Sequence, residues 1–328
     1  MKLNRFAFLF FFISIFASLT LNANTNWDYL NYHSKIAEAE SLIGDEKFHE
    51  AITIYEEVFN FYDFVFLRDC LVAAQLSFYL NEKQKAFSYI KKCIAAGLEL
   101  KALKKNKFLR QFQIGPEWKT IKKEYDSLRH LYVTRIDLPA RDSVHSMFNK
   151  DQRKALGALF KIGDKAQEKY ATNKFAPHSE IQMAKLITML QNKGYPGEKL
   201  IGNDFWMATI ISHHNSISQE YSKNDTIYEY VRPRLIQAIK AGQMSPYEFA
   251  LIDDWQKATS SDRSETGYWF LNPPEKSTLS ETDELRQKIG LRTIGLRNKL
   301  VETEKSTGMH FYLPDWVKGK ISIEPVSY

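Results

Sequence analysis

The sequence predicts a mostly α-helical protein, in which a short array of helical hairpins is followed by a separate helical domain with long loops. Apolar residues recur at helical spacing through most of the chain, and the front half contains a repeat about one hairpin long. With 328 residues, 44% of them hydrophobic, the chain is long enough for two domains and for a sizeable core.

Residues 1–23 have the features of a signal peptide. Lys2 and Arg5 give a positive start, and residues 6–19 form an apolar run. Because this run is shorter than the ~20 residues that span a bilayer, a cleaved signal peptide is favoured over a membrane anchor. Leu21 is bulky for its place before the cleavage site, which leaves a retained anchor as the alternative. We therefore expect a periplasmic or secreted protein with no stable membrane span after signal removal.

The front half contains two similar segments, residues 44–55 and 80–90. Each has a short polar turn, then a small residue (Ala51 or Ala86), then aromatic residues three or four positions later. The two alanines are 35 residues apart, close to the ~34-residue tetratricopeptide period. A small residue lets antiparallel helices approach closely, and aromatic residues fill the groove between hairpins. Residues 27–130 therefore resemble a tetratricopeptide-like array; a plain helical bundle is the alternative.

This resemblance implies helices at about 30–43, 48–61, 66–80 and 83–97, closed by a capping segment over 108–125. Such arrays present a concave surface that commonly binds a protein or peptide. Four aromatic residues suit that role, although each can equally be a core residue: Phe48, Tyr55, Phe78 and Tyr89.

Residues 131–144 are predicted to be a linker, because helical spacing is lost and Pro139 is expected to end any helix there. The helical domain that follows spans residues 145–328. We expect its helices at about 149–170, 178–191, 204–213, 225–241, 246–258, 281–289 and 292–305, a polar loop over 259–278, and short strands at 309–313 and 321–323.

Helical spacing places one histidine and one carboxylate on inward-facing positions of this domain. His213 shares an apolar face with Trp206, whereas His214 lies further round the helix. Asp254 also falls on an inward stripe, whereas Asp253 is expected to be solvated. Because a buried carboxylate needs a partner, we predict that His213 and Asp254 lie within hydrogen-bonding or one-water distance.

Several motifs of the back half occur in an order that resembles an uncharacterised bacterial domain family of unknown function. The motifs are Asp151-Gln152-Arg153, Gly194-Tyr195-Pro196-Gly197, Ile201-Gly202, His213-His214-Asn215 and Asp253-Asp254. The resemblance implies that His213 takes the position of the family histidine and Asn215 that of its Asp. It also implies that Asp254 takes the next Asp, with Trp255 replacing an Arg, and that Tyr268 is nearest to a final Tyr-Gly motif. It supplies no reaction.

Two functions follow from these residues. A hydrolase-like enzyme, with or without a divalent metal, would use His213, Asp254 and Asp151 as catalytic residues. Its binding residues would be Trp206, His214, Asn215 and Tyr268. The other interpretation is a His213–Asp254 pair that only fixes two helices, in a protein that binds a partner through the helical array. We favour the binding function and expect no cofactor.

The charge and the cysteines exclude other classes. The net charge of +6 falls to +4 without Lys2 and Arg5, and no basic stripe indicates a nucleic-acid partner. The densest basic run, residues 101–107, is either a solvated helix end or an anion-binding patch. Cys70 and Cys93 flank the turn at 81–82 at equal distances, so we expect them close together, as buried thiols or as a disulfide.

Overall fold

The computed structural model describes residues 28–261, 267–271, 276–313 and 319–323, and the predicted signal peptide lies outside these ranges. The described part consists of helices and connecting segments without a β-strand, which confirms the mostly-α fold class. The strands predicted at 309–313 and 321–323 are therefore wrong, because both segments have irregular backbone. No helix among the described residues is long and apolar enough to cross a membrane.

The front half follows the predicted helices closely, because its turns and apolar spacing are local features of the sequence. The first four helices agree with the expected bounds to within two residues. The helices of this half are α1 (Tyr29–Gly44), α2 (Phe48–Phe61), α3 (Leu67–Tyr79), α4 (Lys83–Ala95), α5 (Leu100–Lys105), α6 (Lys107–Arg110) and α7 (Gly115–Arg135).

Two consecutive helical hairpins build the front core: α1 packs on α2, and α3 packs on α4. Ala51 and Ala86 are fully buried, as a close approach of the helices requires. Among the four candidate aromatic residues, Tyr55, Phe78 and Tyr89 are buried in this core, and Phe48 packs against it. These side chains therefore stabilise the hairpins rather than face a ligand.

The predicted linker is helical over most of its length. Helix α7 runs to Arg135 and the next helix begins at Leu138, so only Ile136 and Asp137 separate them. Pro139 lies in the first turn of the new helix, where its missing N–H costs no hydrogen bond. The Asp137 carboxylate caps the same turn by accepting the N–H of Ala140 at 2.9 Å. The expected loss of helix over 131–144 was therefore wrong.

The back half has ten helices in the part of the chain that the structure describes. They are α8 (Leu138–Leu159), α9 (Asp164–Tyr170), α10 (Ala176–Asn192), α11 (Glu198–Ile201), α12 (Trp206–His214), α13 (Gln219–Lys223), α14 (Thr226–Lys240), α15 (Pro246–Ser260), α16 (Leu279–Lys288) and α17 (Ile294–Thr307). A π-helical turn, Ala171–Phe175, joins α9 to α10. The expected helix over 149–170 is thus two helices, and Asp151 lies inside α8 rather than at its start.

Two hydrophobic cores exist, but they do not divide the chain at one point. The back core is formed by residues between Ala140 and Leu291. The front core takes in Leu300, Met309 and Phe311 as well as residues 29–121. Helix α17 accordingly packs on α1. The chain therefore starts in the front core, builds the back core, and returns to the front core.

The segment after α17 lies against α3. The side-chain amide of Gln75 donates to the His310 carbonyl at 2.7 Å and accepts the His310 N–H at 2.8 Å. Arg68 Nε donates to the Phe311 carbonyl at 3.2 Å. Residues 309–313, called the tail segment below, thus cover the part of the helical array that Gln75 and Arg68 line.

The two cysteines are close together, as expected from their equal distances to the turn. Both are buried free thiols, on α3 and α4. Burial raises the pKa of Cys93 well above its usual value, and a hydrogen bond with the Cys70 side chain raises it further. Of the two forms that the sequence left open, the structure has the free thiols.

Candidate functional site

His213 pairs with Asp151, and not with Asp254 as expected. The Nδ1 atom of His213, near the end of α12, lies 2.6 Å from the Asp151 Oδ2 atom on α8. Asp151 is fully buried, whereas the His213 side chain keeps 30% of its surface exposed. If Nδ1–H donates to the carboxylate, Nε2 is the basic nitrogen of the ring. This His213–Asp151 dyad therefore has the arrangement of an oriented general base.

Asp254 organises a loop instead of meeting His213. Its carboxylate accepts the backbone N–H groups of Tyr268 and Phe270, each at 2.7 Å. Burial raises the pKa of Asp254 to about 6, although these two N–H donors oppose the rise. A Cβ atom on Gly267 would lie 2.5 Å from Asp254 Oδ1, so the approach requires glycine there. Helical spacing correctly predicted that Asp254 points inward. It did not show that backbone N–H groups would be the hydrogen-bond partners of its carboxylate.

The neighbours of these two residues, His214 and Asp253, are both buried, and the predicted exposure of Asp253 was wrong. His214 is fully buried, with Nδ1 2.9 Å from Ser179 Oγ and Nε2 2.9 Å from Asp225 Oδ2. Asp253 is buried as well, and it pairs with Arg232 at 2.6 Å. Helix α12 is covered by α8, α10 and α15 together, so it has no single buried stripe.

The other predicted binding residues serve packing. Asn215 is buried and donates to the Ile252 carbonyl at 3.0 Å. Tyr268 is buried in the back core. Trp206 is partly buried and stacks on His145, with ring centroids 4.5 Å apart. Of the residues proposed from the sequence, the structure brings only His213 and Asp151 into a partly open arrangement.

A larger site, which the sequence analysis missed, lies where the front array, the back half and the tail segment meet. It is a cavity of about 460 Å³, called the central cavity below. Its walls come from α1, the start of α3, residues 202–205, the start of α15 and the tail segment. Since these pieces are far apart in sequence, no local motif could indicate the cavity.

Four charged residues form an ion network beside the central cavity, the buried Glu40, Asp69 and Arg292 and the partly buried Arg68. Glu40 meets Arg68 at 2.5 Å and Arg292 at 2.6 Å, one carboxylate oxygen for each cation. Arg68 also contacts Asp69 at 3.0 Å. The Arg292 Nε–H group does not point at the Glu40 oxygen that it contacts, so Arg292 and Glu40 form an ion pair without an aligned hydrogen bond. Two positive and two negative groups make the network neutral overall.

Two further carboxyl groups line the cavity, Glu198 and Glu248. Glu198 accepts the N–H of Leu67 at 2.7 Å, and Glu248 accepts the N–H of Ser245 at 3.2 Å as part of a capping box. Burial raises the pKa of Glu198 to about 8 and that of Glu248 to about 7. Asp69 and Glu248 add to the rise at Glu198. Within the described ranges, neither carboxyl has a basic nitrogen within 4 Å.

A buried imidazole completes the polar wall. His33 on α1 is buried, and its Nε2 atom has no hydrogen-bond partner among the described residues. Burial lowers the pKa of His33 to about 3, with a further contribution from Arg68, so the ring is neutral. The ring of Tyr247, also in the wall, lies under the guanidinium groups of Arg68 and Arg292.

Comparison of the chain with protein-family models, with curated proteins and with solved structures finds no match. The two resemblances drawn from sequence motifs therefore stay predictions. Among the described residues, no group of three or more His, Cys, Asp or Glu side chains is placed to hold a metal ion. The geometry of the central cavity and of the His213–Asp151 dyad is the basis on which function can be argued.

Proposed function

We propose that this chain is a binding protein whose ligand occupies the central cavity, and that the ligand is a small organic cation with an apolar body. The observation that supports the proposal is the pair of cavity carboxyls, Glu198 and Glu248, which no basic nitrogen of the described residues approaches within salt-bridge distance. An exported location, proposed from the charged start and apolar run of residues 1–23, fits a protein that collects such a ligand outside the cytoplasm.

Counting charges around the cavity supports a cationic ligand. Five carboxyl groups line it, against Arg68 and two histidines. Glu40 and Asp69 are neutralised inside the ion network, and Asp204 pairs with Arg141 at 2.6 Å. Glu198 and Glu248 remain. An ammonium group would favour the ionised form of these two carboxyls and pair with it, whereas an anionic ligand would gain no such ion pair from them.

The rest of the wall suits an apolar body. Aliphatic and aromatic side chains make up much of the lining, among them Ile36, Phe66, Leu71, Phe205, Tyr247 and Leu313. Aromatic faces attract ammonium ions by about 0.5–2 kcal/mol each. A volume of about 460 Å³ falls within the range of small-molecule sites, which is roughly 300–1,000 Å³.

The sequence favoured a protein or peptide partner in the groove of the helical array. We infer that the binding site is the cavity instead, because the tail segment already covers the face of α3 that Gln75 and Arg68 line. The tail segment also contributes His310, Tyr312 and Leu313 to the cavity wall. The same chain segment thus covers that face and shapes the cavity.

Binding of 2-phenylethylamine, compared with 2-phenylethanol and 3-phenylpropionate, tests the proposal by thermal shift and calorimetry. The amine should stabilise the protein and release protons, because a bound cation favours ionised Glu198 and Glu248. In Glu198→Gln and Glu248→Gln the amide oxygen can still accept the backbone N–H that the carboxylate accepts, but the charge is removed. Each change should weaken amine binding at least about tenfold. The exposed Glu57→Gln variant carries the same charge change as a control and should bind normally.

Equal stabilisation by the amine and the alcohol would show that charge does not matter, and tighter binding of the carboxylate would reverse the proposed ligand class. Unchanged amine affinity in both Gln variants would remove the cavity as the site.

Acid–base catalysis at the His213–Asp151 dyad is the second candidate, favoured by the 2.6 Å contact and the partly exposed ring. Aryl esters and phosphates are suitable probes of a hydrolase-like activity. Any turnover should be lost in His213→Gln and Asp151→Asn, and kept in the exposed control His145→Gln. Turnover that survives in the two dyad variants would exclude this site.

A further inference from the structure

The turn between α8 and α9 exposes a group of large apolar side chains. Leu156 is 52% exposed, Leu159 76%, Phe160 81% and Ile162 96%. These four residues, called the hairpin tip below, lie within seven positions of the chain. Single exposed apolar residues are ordinary, but four together at the end of a helical hairpin indicate a contact surface.

A hydrogen bond and a close approach join the two helices of the hairpin that carries the tip. The Tyr170 hydroxyl, at the end of α9, donates to the Lys154 carbonyl on α8 at 2.9 Å. A Cβ atom on Gly157 would lie 2.2 Å from that hydroxyl oxygen, so Gly157 lets the two helices approach. The apolar side chains of the tip stay exposed beyond this contact.

Basic residues are frequent in the two helices that carry the tip. Seven cationic residues lie between positions 150 and 174: Lys150, Arg153, Lys154, Lys161, Lys165, Lys169 and Lys174. The acidic residues in this stretch are Asp151, which is buried against His213, and the exposed Asp164 and Glu168. In the part of the chain that the structure describes, none of the seven cations lies within 4 Å of a carboxylate. Seven cations against three carboxylates give this stretch a net charge of +4.

We propose that the hairpin tip docks on an anionic lipid surface. Apolar side chains that insert at the headgroup boundary, ringed by Lys and Arg that meet acidic headgroups, are the features of peripheral membrane binding. A protein partner would need an apolar pocket with a matching acidic rim, whereas an anionic bilayer supplies both along a continuous plane.

Docking in this way places the His213–Asp151 dyad near the membrane. Asp151 lies on α8, about one and a half turns before Leu156, and Phe175 in the π-helical turn packs edge-on to the His213 ring. The proposal itself rests only on the hairpin tip and its cations. It stands independently of any ligand in the central cavity.

Co-sedimentation with vesicles tests the proposal on the full chain. Binding should be weak to pure phosphatidylcholine and strong when about 30% phosphatidylglycerol is added, and it should fall with salt. Phe160→Ser with Ile162→Ser should reduce binding at least about tenfold by removing the inserted surface. Lys161→Glu with Lys165→Glu should reduce it by a similar factor and lower the salt dependence.

Two controls match these changes elsewhere on the surface. Ile114→Ser removes another strongly exposed apolar side chain, and Lys101→Glu with Lys104→Glu alters the other basic run. Both should bind vesicles as the unaltered chain does. Absence of binding to anionic vesicles, or equal loss in the control variants, would overturn the proposal. A tip variant that changes the oligomeric state in light scattering without changing vesicle binding would identify a protein interface instead.

Discussion

Replacing Glu40 by Gln should destabilise the protein more than any change of similar size at its surface. Glu40 is 2% exposed, and each carboxylate oxygen meets one guanidinium group. Burial works against its charge, but Arg292 and Arg68 outweigh that cost and hold the pKa of Glu40 below its ordinary value. With Gln at position 40, Arg68 keeps Asp69, whereas Arg292 loses its carboxylate in the interior.

Leaving one partner of a buried ion pair without compensation costs about 3–5 kcal/mol. At roughly 2.1 cal/mol/K per residue, a chain of about 300 residues has an unfolding entropy near 0.6 kcal/mol/K. The melting temperature should therefore fall by about 5–8 °C in Glu40→Gln. An exposed change of the same type, Glu57→Gln, should shift it by about 1 °C or less.

Thermal and denaturant unfolding of the single and paired variants measure this effect. Removing both charges in Glu40→Met with Arg292→Met should recover much of the lost stability, because no uncompensated buried charge remains. The reasoning is refuted if Glu40→Gln costs less than about 1 kcal/mol. It is also refuted if the paired variant is less stable than the single one by a further several kcal/mol.

Three further predictions follow from buried groups. Because the pKa of Glu198 is about 8 in the folded protein and ~4.3 in an unfolded chain, its contribution to stability falls as pH rises between these values. Glu198→Gln should thus reduce the drop in melting temperature from pH 5 to pH 8 by about 6 °C, and an unchanged drop would contradict the assignment. Cys70 and Cys93 should resist a thiol reagent in the native protein and react only in guanidinium chloride; rapid native-state reaction would contradict their burial. His213→Ala should cost about 1–3 kcal/mol in unfolding experiments, because Asp151 stays buried without its partner, and no measurable cost would show that the contact is not stabilising.

The elements that depend on neighbouring residues were predictable from the sequence. Helix α2 begins and ends at the expected residues, because a polar turn and a regular apolar spacing define it locally. Pro139 shows the limit of such signals, since proline ends a helix in its interior but is favoured in its first turn. Whether Pro139 ends a helix or begins one depends on its position within the helix, and the sequence alone did not determine that position.

The strand predicted at 309–313 was wrong for a related reason. Its alternating apolar residues are indeed buried at Met309 and Phe311, but the backbone is irregular, with a positive φ of 52° at Tyr312. The hydrogen bonds of that backbone go to the side chains of Gln75 and Arg68, however, and not to a neighbouring strand. The alternation of apolar residues predicts which side chains are buried. It does not identify the groups that form hydrogen bonds with the backbone.

The candidate site was predictable only in part. Helical spacing and motif order pointed to His213, motif order alone pointed to Asp151, and the structure joins the two across 62 residues. The central cavity left one signal in the sequence, which is Glu40 on the buried stripe that Tyr29, Ile36 and Ile43 define on α1. A carboxylate at such a position needs a cation, but both candidates, Arg68 and Arg292, lie on other elements.

The return of the chain to the front core changes how the two halves should be separated. A cut after residue 130 would remove Leu300, Met309 and Phe311 from the core that α1 to α4 build, and would leave Glu40 without Arg292. The front half is thus completed by the last described part of the chain, while the back core lies between these two pieces. Because the central cavity is formed where they meet, its shape depends on both halves being present, and a ligand held there contacts both at once.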